Sequence, residues 1–199
     1  MNFSQTIALF GGSFDPPHLG HLHIAREILQ QMPELEKMVF VPCAQSPGKR
    51  KAVASAEQRL DFLKIALNNT PFALWDFEVR AGKESYTVNT VREAHRQGAK
   101  QEKLFWILGA DAYAHFSQWQ EPETIRSHCR LLVVNRPNHP LQQQNAQDKI
   151  ITIPPSPLSS TSLRESLAKG KSPINSLPQA LEDHLRKLTL HTQNPYGSL

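Results

Sequence analysis

The residues best suited to chemistry crowd into "GGSFDPPHLGHLH", 11–23, directly after the apolar run "IALF". Gly11 and Gly12 predict a sharp turn and an open approach to main-chain N–H groups. Ser13 adds a hydroxyl donor, and the helix starting near Pro17–Leu19 turns its positive dipole end toward the same space, a setting that favours phosphate. His18 and His21, three residues apart, share a face across the first helical turn. Such a pair can donate hydrogen bonds to phosphate oxygens and stabilise charge that develops during phosphoryl transfer. Gly20 between them keeps the helix surface low enough for a base or sugar to pack on it. His23 falls about 200° round the helix from His21, so the three imidazoles do not converge on one zinc ion. A Walker-type loop is excluded because no Gly-Lys-Ser/Thr follows the glycines.

A second dense stretch is "PLSSTSLRESL", 157–167. Ser162 with Glu165 has capping-box spacing, and Leu163 with Leu167 makes a buried side. The preceding Ser159, Ser160 and Thr161 and the first-turn Arg164 go beyond what a cap requires. An arginine at a helix N-terminus is unfavourable unless an anion sits nearby, so hydroxyls, free N–H groups and a guanidinium together suit a triphosphate.

The elements that must position these residues alternate along the chain. Strands are predicted at 6–11, 37–43, 72–79, 103–109, 129–136 and 149–153. Helices are predicted at 19–32, 55–69, 87–98, 110–116, 163–169 and 178–188, with a Gln/Asn-rich loop at 142–147. Strand "KLFWILG" is apolar on both faces, as a central parallel strand should be. The pattern predicts an α/β fold, a Rossmann-like doubly wound parallel sheet with C-terminal helices. Residues 1–190 form one domain in this reading, and 191–199 a flexible tail.

The composition agrees. A chain of 199 residues, 39% hydrophobic and 20% charged, can bury a single core without staples. No apolar run is long enough for a membrane span, and the N-terminus lacks a signal peptide's features, which predicts a cytoplasmic protein. Cys43 and Cys129 match no metal or redox spacing and read as buried and reduced. A net charge of +4 suits an anionic small substrate, and no basic patch interleaved with aromatics points to nucleic acid. A homo-oligomer is left open.

The stretch "GGSFDPPHLGH" resembles the signature of the nucleotidyltransferase superfamily, whose members carry His-x-Gly-His here. "SSTSLR" is similar to that superfamily's Ser-Ser-Thr-x-Ile/Leu-Arg motif. Within it, "SYTVNTV" (85–91), "WILGADAYAHFSQW" (106–119), "VVNRP" (133–137) and "LPQALEDHL" (177–185) resemble the nicotinate-nucleotide adenylyltransferase family. The resemblance implies that ATP and nicotinate mononucleotide are joined into nicotinate adenine dinucleotide with release of pyrophosphate. The nucleotide's phosphate would attack the α-phosphorus directly, with His18, His21, Ser13, Thr161, Arg164 and Mg²⁺ stabilising charge. The metal would be held largely by substrate phosphates and water. The implied ATP site adds Gly11, Gly12, Phe14, Gly20, Lys49, Gly109, Asp111 and Ser160; Ser13, Tyr86, Thr87 and Trp119 would meet the mononucleotide.

Physical readings accompany these assignments. Asp111 can accept from a ribose or start a helix, and Trp119 can stack on a pyridine or anchor the core. Tyr86 and Thr87 can line the pocket or cap the helix that follows; Lys49 can reach the triphosphate or stay solvated. The chain departs from the family pattern at four places. Ser13 stands for threonine, Ser46-Pro47-Gly48-Lys49 for Pro-Pro-His-Lys, Gln118 for a proline, and Asn138 for a glycine. The alternatives are a sister enzyme using nicotinamide mononucleotide or phosphopantetheine, and a nucleotide-binding regulator without turnover.

Overall fold

A computed structural model describes residues 3–135, 141–154, 156–169, 175–190 and 193–197. The expected Arg136-Pro137 segment and the Asn138 departure lie outside the described residues. Six strands form one parallel sheet in the order β3-β2-β1-β4-β5-β6. They are β1 (Ile7–Gly12), β2 (Lys37–Pro42), β3 (Ala73–Leu74), β4 (Leu104–Gly109), β5 (Arg130–Asn135) and β6 (Lys149–Thr152). This is the doubly wound arrangement expected, and its order reverses between β1 and β4, where such sheets open a crevice at their carboxyl ends.

Among the described residues, eight α-helices connect and flank the strands: α1 (Leu19–Gln31), α2 (Ala56–Leu67), α3 (Phe77–Ala81), α4 (Thr87–Arg96), α5 (Ala110–Ala114), α6 (Pro122–His128), α7 (Ser160–Ala168) and α8 (Gln179–Leu190). Alternate strand residues feed two cores. Leu9, Val41, Trp106 and Val133 pack with Val88, Val91 and Ile125 on one face. Phe40, Phe105, Ile107 and Leu132 pack with Leu22, Ile28 and Leu63 on the other. Because both faces are covered, the central strands read as continuous apolar runs.

Three expectations need correction. The third strand shrinks to Ala73–Leu74, and Phe77–Ala81 is a helix closed by Gly82 at φ 62°. Trp75 and Val79, four residues apart, are both buried, and Trp75 stacks on Phe77 at 5.3 Å. A single neighbour at the sheet edge offers little to prolong the strand against that packing. Gly11 and Gly12 belong to β1 and make no turn. The turn falls on Phe14, at φ 48°.

Thirdly, the chain's end is packed where it is described. A third cluster joins Phe62 and Ala66 of α2 to Leu163 and Leu167 of α7, Leu181 and Leu185 of α8, and Tyr196. Tyr196 is 3% exposed.

The absence of a side chain at Gly11 is required by a close approach. A Cβ there would lie 2.4 Å from Cζ2 of Trp106, within the buried cluster on that face. Gly11→Ala should therefore destabilise the protein by about 1–3 kcal/mol through overpacking, read as a lower urea midpoint at unchanged slope.

Candidate active site

The crevice at the strand ends is occupied by three adjoining cavities. The first, about 560 Å³, is bordered by Phe10, His18, Gly20, His21, Gly109 and Asp111, and reaches Ser156 and Ser160. The second, about 420 Å³, shares Phe10, Ile107 and Gly109 with it and continues past Gly11 and Gly12 to Tyr86, Thr87, Gln118 and Trp119. The third, about 900 Å³, shares Cys43, Ser46 and Lys49 with the second and extends to Ser13, Arg59 and Arg164.

His18 caps α1, and Leu19 is its first helical residue. The His18 and His21 rings stack with centroids 3.7 Å apart. The His21 Nδ1 accepts the His18 backbone N–H at 3.2 Å, so its neutral ring carries the proton on Nε2, free to donate. The His18 Nδ1 is buried without a hydrogen-bond partner among the described residues. Burial lowers His18 to a pKa of about 4. Burial, with repulsion from His18, holds His21 well below the ordinary imidazole range. Both are therefore neutral near pH 7. His23 stands apart, with its Nδ1 3.9 Å from Glu27.

A Cβ on Gly20 would meet the His18 Nδ1 at 2.9 Å and the Ser156 Oγ at 3.0 Å. Only glycine leaves both groups where they are.

The second motif sits against the first. Ser159, not Ser162, caps α7: its Oγ accepts the Ser162 N–H at 3.1 Å. In a run of hydroxyls several residues offer cap chemistry, and the helix starts at the earlier one. Ser160 and Thr161 therefore lie in the first turn, and Arg164 falls in the second. The Ser160 hydroxyl donates to the Pro16 carbonyl at 3.3 Å. One Arg164 amine donates to the Asp15 carbonyl at 2.6 Å and the other to the Thr161 hydroxyl at 3.2 Å. Segments some 140 residues apart thus become one wall.

Five cations, Lys49, Arg50, Lys51, Arg59 and Arg164, and one carboxylate, Asp15, border the 900 Å³ cavity. Lys49 is exposed on its rim. Arg59, 1% exposed, donates to the carbonyls of Ser13 at 2.6 Å, Ala44 at 2.8 Å and Ala54 at 3.3 Å. No carboxylate lies within ion-pair distance of it among the described residues, so its charge is left to act on the cavity.

Asp111 does not cap a helix. Gly109 holds that position in α5, and the exposed Asp111 carboxylate borders the 560 Å³ cavity. Trp119 is half-buried: its ring packs on Phe116 at 5.4 Å while bordering the 420 Å³ cavity. Tyr86 and Thr87 line the same space. Neither hydroxyl caps α4, and the Tyr86 hydroxyl donates to Glu84 at 2.8 Å. Phe14 is buried, its ring 5.0 Å from that of His21, so it supports the histidine from behind.

Arg59 and Asp15 went unread in the sequence as site residues, as did Glu78. Burial pushes the Glu78 carboxyl up to about 7 beside the second cavity, where it accepts from the Thr90 hydroxyl at 2.5 Å. Each looks like an ordinary charge on a helix or turn until the fold buries it.

The family model described as cytidylyltransferase-like matches residues 9–166. A Coxiella burnetii protein named "Probable nicotinate-nucleotide adenylyltransferase" is 36% identical, over 94% of this chain and 98% of its own length. One of the same name from Thermus thermophilus is 38% identical, over 93% and 98%. The chain belongs to the nicotinate-nucleotide adenylyltransferase family. A solved member of the fold, Plasmodium falciparum nicotinic acid mononucleotide adenylyltransferase complexed with NaAD, superposes with a TM-score of 0.73. It is 20% identical and matched over 96% of this chain and 98% of its own.

Burial gives the histidine pair a measurable signature. An unfolded histidine titrates near 6.5, whereas His18 in the fold titrates near 4. Between those values the unfolded state binds the extra proton. The pair's contribution is thus fully present above about pH 6.5 and is lost as pH falls toward 4, by about 3 kcal/mol at most for His18. Urea midpoints measured from pH 7.5 to 4 should fall more steeply in the parent protein than in His18→Gln. Parallel slopes would contradict the assigned protonation.

Proposed function

We propose that this chain joins ATP and nicotinate mononucleotide to give nicotinate adenine dinucleotide and pyrophosphate, a step of NAD biosynthesis. The observation that carries this reading is the direct bonding of the 159–164 segment to the Asp15-Pro16 turn. It sets a guanidinium and hydroxyls beside the histidine pair at the sheet's switch point. We assign the adenosine to the cavity of His18, Gly20, Gly109 and Asp111, with the Asp111 carboxylate able to accept from a ribose. The pyridine nucleotide belongs to the cavity of Tyr86, Thr87 and Trp119, whose indole offers a stacking face. The β- and γ-phosphates belong to the cationic cavity, among Ser13, Lys49, Arg59 and Arg164.

Where the cavities adjoin, an oxygen of the mononucleotide phosphate attacks the α-phosphorus. The bond from that phosphorus to the bridging oxygen breaks, and pyrophosphate leaves into the cationic cavity. The neutral His21 donates its Nε2 proton as a hydrogen bond to the α-phosphate, placed by its Nδ1 contact to the backbone. Arg164 and Arg59 offset the charge that builds on the leaving group. No group of three or more His, Cys, Asp or Glu converges among the described residues. Mg²⁺ would be carried by ATP phosphates and water, where it would neutralise phosphate charge. No described helix is long and apolar enough to cross a membrane. The free, buried Cys43 and Cys129 agree with a reducing compartment, and we place the protein in the cytoplasm.

The deciding experiment follows pyrophosphate release with ATP and, in parallel, nicotinate, nicotinamide and phosphopantetheine substrates. Nicotinate mononucleotide should give the highest kcat/KM. A stronger response to nicotinamide mononucleotide would move the chain to the sister activity, and none to any substrate would leave a regulator. His21→Ala should lower kcat by about 10² or more, the scale of one preorganised donor, and near-parent turnover would remove His21 from the chemistry.

A further inference from the structure

Asp15, 3% exposed, joins four segments of the chain. Its Oδ2 accepts the Val53 N–H at 2.7 Å, and its Oδ1 accepts the Ala54 N–H at 3.1 Å and the Tyr196 hydroxyl at 2.7 Å. The Arg164 guanidinium stands 3.9 Å from Oδ2 and bonds the Asp15 carbonyl instead. Asp15, Val53, Ala54 and Arg164 all border the cationic cavity. Tyr196 therefore touches the back of that wall without entering the cavity. The Tyr196 ring packs on Phe62, with centroids 6.0 Å apart. Burial and the adjacent Asp15 charge push its phenol well above the ordinary range, so it remains a donor. Asn194 fixes the segment to α8: its amide donates to Thr189 at 2.8 Å, and its Oδ1 accepts the Tyr196 N–H at 3.0 Å.

A buried carboxylate left without one of its donors is destabilised, which favours any donor able to replace it. The nearest available is Arg164, and a guanidinium drawn fully onto Asp15 is withdrawn from a ligand anion. We propose that Tyr196 is a positioning residue of the triphosphate site: by satisfying Asp15 it keeps Arg164 and the 53–54 backbone set for the pyrophosphate end of ATP. The identity of that anion rests on the function proposed above; the coupling of Tyr196 to an anion in this cavity does not.

Tyr196→Phe deletes the hydroxyl and keeps the ring. Steady-state kinetics on the full chain should show the KM for ATP raised about fivefold to tenfold, the scale of one ordinary net hydrogen bond. The KM for the mononucleotide should stay within twofold. Calorimetry with Mg²⁺ and inorganic pyrophosphate should show affinity reduced by a similar factor. Asn194→Ala, which loosens the segment away from Asp15, should shift both readouts in the same direction by less, and it decides the matter if Tyr196→Phe does not fold. Parent-like KM for ATP and pyrophosphate affinity in the folded variant overturn the proposal, even with a lowered Tm. An equal rise in both KM values overturns it too, since that reports general loosening. A parent protein inactive with every mononucleotide would defeat the functional reading alone; the pyrophosphate titration would still decide the role of Tyr196.

Discussion

The site depends on how the turn after β1 disposes of its own carbonyls. Those of Ser13, Asp15 and Pro16 accept from Arg59, Arg164 and Ser160, side chains that reach in from α2 and α7. A buried carbonyl left without a donor costs on the order of 1–3 kcal/mol, so the turn is stable only when both helices have docked. That requirement explains the third hydrophobic cluster. It packs α2, α7 and α8 together beyond the sheet and brings their polar residues to the crevice. The turn after β1 is thus tied to α2 and α7, and through their cluster to α8.

The same arrangement divides the crevice electrostatically. At one end, a neutral stacked imidazole pair lies among Phe10, Phe14 and Ile24, where a positive charge would be poorly solvated. At the other, five cations face a single carboxylate whose oxygens are already engaged by backbone N–H groups and a phenol. The proposed assignment uses this asymmetry. Adenosine at the first end would meet flat, low surfaces and directed donors. Pyrophosphate at the second would meet positive charge in excess of the single carboxylate.

Much of this was legible in order along the chain. Continuous apolar runs at Leu104–Leu108 and Leu131–Val134, with helical patterns between the runs, read as strands buried on both faces of a parallel sheet. His18 and His21 declared their shared side by spacing, and His23 its separation. The misreadings have a common source. At 72–79, at Gly11-Gly12 and at 159–162, more than one local structure was compatible with the residues, and packing made the choice. Trp75 on Phe3, Trp106 against the bare Cα of Gly11, and the docking of α7 onto the turn are contacts between segments distant in sequence.

By itself, the sequence determined which side chains could bind phosphate, how they were spaced, and the alternation that gathers strand ends on one side of a sheet. Those properties follow from periodicity and side-chain chemistry, which are local. Only the tertiary structure decided that Arg59 would be buried against three backbone carbonyls, that both histidines would be held neutral, and that Tyr196 would close on Asp15 from the far end of the chain. Burial and partner distance set charge state and donor direction. Both are sums over residues from many parts of the sequence, and no window along it contains them.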